Sequence, residues 1–114
     1  MHVEVRKAED VVIVDLDGKL TAGLGDQILR ETLDELLAEG YRKILLNLSA
    51  VTFLDSAGLG ELVAGLKTAR NLGAELKILK ASARVKSTLQ LTRLLPVFDV
   101  YEDEQEAIRG FAAG

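Results

Sequence analysis

The chain has 114 residues, 48% of them apolar and 28% charged, the size and balance of one globular unit (residues 1–114) with a buried core. Fourteen Lys and Arg against eighteen Asp and Glu leave a net charge of −4, and aromatic residues are only 4% with no Trp. A basic footprint for phosphates and a stacking platform for bases are both missing, so direct nucleic-acid binding is not expected. With no Cys and one histidine, His2, thiolate catalysis, cysteine-based metal sites and a histidine triad lack their ingredients, so neither metal nor cofactor is expected.

No apolar run approaches the roughly 20 residues of a membrane span, and the N-terminus shows no basic region followed by an apolar stretch. The expected location is therefore cytoplasmic. Val3-Glu4-Val5 and Val11 to Leu16 are β-branched runs separated by polar residues, which predicts a hairpin with the second strand more deeply buried. From Asp26, the apolar positions Ile28, Leu29, Leu33, Leu36 and Leu37 fall on one stripe of a helix that Gly40 terminates. Ile44 to Leu48 is a short, near-continuous apolar run, the pattern of a central strand covered on both faces.

A second helix is predicted from the turn Asp55-Ser56-Ala57-Gly58 to Asn71, with Gly65 inside its pattern suited to close packing. A strand around Leu76 and Ile78, a helix from Arg84 to Leu94 stopped before Pro96, a strand from Val97 to Tyr101 and a helix from Glu104 to Phe111 follow. Strands alternating with helices in this way imply an α/β fold: a mostly parallel sheet with one antiparallel edge strand and about four helices.

Two glycine-rich loops precede helices, Gly23-Leu24-Gly25 and Gly58-Leu59-Gly60. Neither completes a nucleotide motif. No Lys-Ser/Thr pair follows Gly18 to Gly23, and Val63 stands where a dinucleotide fingerprint needs its third glycine. The acidic residues Asp99, Glu102, Asp103, Glu104 and Glu106 lack a calcium-loop spacing and read as a strand end and a helix start. Lys77, Lys80, Arg84 and Lys86 read as solvated charge.

Asp55 to Gly60 is the informative stretch. Asp or Ser at a helix start caps an unpaired backbone N–H, which is the structural reading of the motif. A hydroxyl at that place also lies in the partial positive charge of a helix N-terminus, so a phosphate on Ser56 would be tolerated by the fold. The same phosphate adds roughly −1.5 to −2 charges beside Asp55, enough to repel a partner docked on the turn.

Leu54-Asp55-Ser56-Ala57-Gly58-Leu59-Gly60 resembles the signature of the STAS domain in bacterial anti-sigma factor antagonists. Gly18-Lys19-Leu20, Ile44 to Ser49, and Leu91 to Leu94 with Val97-Phe98 extend the resemblance over nearly the whole chain. The resemblance implies that Ser56 is the phosphoacceptor for an anti-sigma factor serine kinase and that a serine phosphatase reverses the modification. The unmodified protein would bind the kinase and free a sigma factor. Partner-binding residues would be Asp55, Ser56, Ala57, Gly58 and Leu59, together with Thr21 and Gly23 of the first loop. Thr21 stands where the family often has Asp, and Ala57 where many members have Ser or Thr. The same family also contains scaffold subunits of transporters and stress-signalling assemblies, the alternative reading. An enzyme would need a base near Ser56, and none is evident in the sequence.

Overall fold

The computed structural model describes residues 1–111. The elements are β1 (His2–Ala8), β2 (Val11–Leu20), α1 (Gly25–Ala38), β3 (Lys43–Leu54), α2 (Ser56–Asn71), β4 (Glu75–Leu79), α3 (Ala83–Leu91), a 3₁₀ turn (Leu95–Val97), β5 (Val100–Tyr101) and α4 (Glu104–Gly110). One five-stranded sheet runs in the order β1-β2-β3-β4-β5. β1 is antiparallel to β2 and every other neighbouring pair is parallel, as the alternating pattern predicts.

Strands buried on both faces need apolar residues of both parities. Val12, Val14, Leu16, Ile44, Leu46 and Leu48 meet the stripes of α1, α2 and α3 on one face. On the other face Val11, Ile13, Leu45 and Leu79 are covered by Ala107 and Ile108 of α4 and by Phe111. Gly65 lets α2 approach α1, since a Cβ there would stand 2.5 Å from Leu33 Cδ1.

Several boundaries differ from the sequence reading, beginning with β1 and β2, which extend to Ala8 and Leu20 beyond the β-branched runs. β3 runs on to Leu54 through two irregularities, where Asp15↔Asn47 is followed by Asp17↔Ala50 and Gly18↔Val51 by Lys19↔Phe53. These bulges break the two-residue alternation, so Leu48 and Val51 are both buried although three apart, and simple periodicity stops at Leu48. The helix expected to reach Leu94 ends at Leu91, with Arg93 in the left-handed region. The strand expected from Val97 begins only at Val100, because the segment with Pro96 forms a 3₁₀ turn.

The reading of Lys77 as solvated charge is corrected as well. Lys77 is 7% exposed, its Nζ lies 2.8 Å from Asp99, and it stands 5.7 and 5.5 Å from the Tyr101 and Phe111 ring centroids. Sheet alternation turns this residue under α4, where an ion pair and two rings replace water.

Candidate functional site

The pairing Lys19↔Phe53 and Leu20↔Leu54 brings the ends of β2 and β3 side by side, so the loop after β2 and the start of α2 share one edge of the sheet. This is the carboxyl edge of the parallel strands, where open α/β sheets present their functional loops. Asp55 is the N-cap of α2 in extended conformation. The Gly58 N–H donates to its Oδ1 and the Ala22 N–H to its Oδ2, both at 2.9 Å. One carboxylate therefore starts the helix and ties the first loop to it.

Ala22 first and Gly58 second, these amides hold the Asp55 carboxyl below its ordinary range, because both bonds favour the ionised form over the cost of desolvation. Ser56 occupies the first helical position and is exposed. Its hydroxyl makes no intramolecular hydrogen bond among the described residues, since the capping falls to Asp55.

Ala57 and Leu59 are half-buried, and Leu59 packs against the core. Gly58 is buried against Leu20, and a Cβ there would overlap the Leu20 carbonyl oxygen. The close approach at Gly58 is thus internal, between the start of α2 and the end of β2. Gly25 has the same relation to the Lys19 carbonyl, and this close contact accounts for the glycine at the start of α1.

Thr21 is half-buried and its carbonyl accepts the Asp26 N–H at 3.1 Å. Gly23 is exposed with φ +107°, a conformation that favours glycine. All seven residues named from the sequence therefore lie on two adjoining loops and the first turn of α2.

The structure adds groups that the motif does not show. Ala22 supplies the second amide to Asp55, a backbone role with no signal in its side chain. Leu24 is 64% exposed at the N-cap of α1, and Phe53 is 43% exposed three residues before Ser56. Arg84 Cζ lies 4.5 Å and Lys19 Nζ 5.6 Å from the Phe53 ring centroid. Ser82 holds α3 beside this ring: its hydroxyl donates to the Val51 carbonyl at 2.8 Å and accepts the Val85 N–H at 3.3 Å. Exposed apolar groups beside cations are the usual makings of a protein-recognition surface. Among the described residues no group of three or more His, Asp or Glu could hold a metal, and no helix is long and apolar enough to cross a membrane.

The family model of the STAS domain matches residues 2–107. The chain belongs to the STAS-domain family. A Thermotoga neapolitana relative, named as an anti-sigma factor antagonist, is 34% identical over 100 residues, 88% of each chain. The crystal structure of a Thermotoga maritima protein bearing the same description superposes with a TM-score of 0.86 at 30% identity, covering 94% of this chain and 92% of that one. The Bacillus cell fate determinant SpoIIAA in its phosphorylated form shares the fold, with a TM-score of 0.72 at 20% identity over 95% and 97% of the two chains. In this STAS domain the signature residues Asp55 to Gly60 are the cap and first turn of α2, and Gly18-Lys19-Leu20 is the end of β2, whose Leu20 packs against Gly58.

Proposed function

We propose that the protein is an anti-sigma factor antagonist that works as a binding switch and not as an enzyme. In this reading the unmodified first turn of α2 and the Thr21 to Gly25 loop bind an anti-sigma factor serine kinase in the cytoplasm, and the sigma factor is released. The kinase moves the γ-phosphoryl group of ATP to Ser56 Oγ, the complex separates, and a serine phosphatase restores the hydroxyl. The whole chain, 1–114, acts as one domain in this role.

The observation that carries the reading is the division of labour between Asp55 and Ser56. Asp55 makes the cap, so the exposed Ser56 hydroxyl can be modified without removing a hydrogen bond that the fold uses. A phosphate there meets the positive end of α2 on its protein side and presents new charge to the partner. Relatives named as anti-sigma factor antagonists, and a phosphorylated form of a structural neighbour, support it.

The test is a pull-down from native extract with wild-type, Ser56→Ala and Ser56→Asp baits, with phosphate located by mass spectrometry. The proposal expects an ATPase-like anti-sigma factor on the wild type and Ser56→Ala but not on Ser56→Asp, and phosphate on Ser56 alone. Equal capture by all three baits, or transporter subunits in its place, contradicts it.

A further inference from the structure

We propose that β1 is a self-association edge, and that two copies of this chain join antiparallel along it to continue the sheet across a two-fold axis at Val5. The inference is independent of the Ser56 reading. β1 is a seven-residue edge strand whose outer side has no strand partner among the described residues, while the opposite edge, β5, is two residues long. An edge of this length is a template for another strand unless something blunts it.

Geometry limits the ways in which two copies can pair. In an antiparallel ladder, residues facing each other share one hydrogen-bonding state, and that state alternates along the strand. Pairing with β2 fixes which alternate residues of β1 point their backbone groups outward, identically in both copies. Only registers centred on a residue are then compatible.

Centring on Glu4 sets Glu4 against Glu4, and centring on Arg6 sets Arg6 against Arg6. Centring on Val5 uses all seven residues and sets Glu4 against Arg6 twice, His2 against Ala8, Val3 against Lys7, and Val5 against its own copy. Opposite charges directly across a ladder stabilise it, and like charges do the reverse.

Two features of the single chain fit this register. Val5 is 50% exposed, a β-branched apolar residue at the proposed axis. Glu4 sits directly opposite Asp15 across the β1–β2 ladder, two like charges side by side, and its partner among the described residues is the His2 ring at 3.2 Å. A second copy would bring Arg6 to the other side of Glu4. Arg6 already gathers Asp15 at 2.7 Å and Glu104 at 2.6 Å, so its guanidinium is held in place on that face. The charges that would blunt this edge toward other strands are thus matched toward its own copy.

The interface is small, so association in the micromolar to millimolar range is expected, and sedimentation equilibrium from roughly 10 μM to 1 mM spans it. Wild type should approach dimer mass over that range. Glu4→Lys and Arg6→Glu should each weaken association about tenfold or more, because each sets like charges together twice. An equimolar mixture of the two variants should associate again, since across the mixed pair each position 4 then faces a position 6 of opposite charge. Should Arg6→Glu fail to fold by circular dichroism, Val5→Lys, which sets two cations against each other at the axis, replaces it as the second disrupting variant. A wild type that stays monomeric throughout, or Glu4→Lys and Val5→Lys proteins that associate as wild type does, overturns the proposal.

Discussion

The Asp55 carboxylate accepts the Ala22 amide at 2.9 Å, across 33 residues of sequence, while its other oxygen caps α2. The two loops of the candidate site are therefore mechanically one piece. Asp55→Asn keeps an acceptor for one of the amides, and Asp55→Ala keeps none. Hydrogen exchange at Ala22 should quicken in Asp55→Ala more than in Asp55→Asn, with α2 fraying at its start in the first variant only. Unchanged protection at Ala22 in Asp55→Ala would show that the loop is held by other means.

The three glycines of this region should respond oppositely to alanine. At Gly58 and Gly25 the added methyl runs into the carbonyl oxygens of Leu20 and Lys19, backbone that cannot swing aside. Either substitution should cost about 1–3 kcal/mol or more in denaturant unfolding. Gly60 lies inside α2 with nothing within 4 Å of a new Cβ, so Gly60→Ala should raise stability by up to about 1 kcal/mol.

Lys77 sets an alkaline limit. Burial pulls its pKa down, but the hydrogen bond and charge of Asp99 outweigh that and hold it above the ordinary value of 10.5. A cation with a raised folded pKa contributes its full stability below the unfolded value and loses it as pH rises through the folded one. Stability should fall above about pH 10.5, and Lys77→Met should flatten that fall. Asp99→Ala, which strips the buried ammonium of its nearest carboxylate, should be the more damaging change at neutral pH.

At the acid end, Arg6 holds the carboxyls of Asp15 and Glu104 below their ordinary values, chiefly through direct hydrogen bonds. Their contribution is complete above about pH 4.5 and is lost as pH falls through the lowered folded values. Arg6→Ala should remove part of the acid-side slope. Its cost at pH 7 should stay under about 1 kcal/mol, because the Arg6 side chain is 43% exposed.

Much of this was legible in the sequence, for physical reasons that can be named. The stripe of α1, the apolar run of β3 and the Asp55 turn each follow from burial or capping chemistry expressed in consecutive residues. The second half of β3 was not legible, because two bulges shift Val51 out of step with Leu48 and break the alternation on which a strand is read. Lys77 reads as solvated charge for a related cause: its partners Asp99, Tyr101 and Phe111 come from distant segments and leave no local pattern around it. The seven residues proposed for partner binding come from one motif and its preceding loop, whereas Ala22 bonds Asp55 through its backbone and Phe53 stands out only by its place beside Arg84. Neither role has a local sequence signal.

In the proposed switch, a phosphate on Ser56 breaks partner binding while the fold stays intact. This is tested most directly by titrating a purified anti-sigma factor kinase into this protein before and after stoichiometric phosphorylation at Ser56, with circular dichroism recorded on both forms. The unmodified protein should bind tightly, phosphorylation should weaken binding at least tenfold, and the two spectra should superimpose. Equal affinity of the two forms, or a phosphorylated form that has lost its fold, would contradict it.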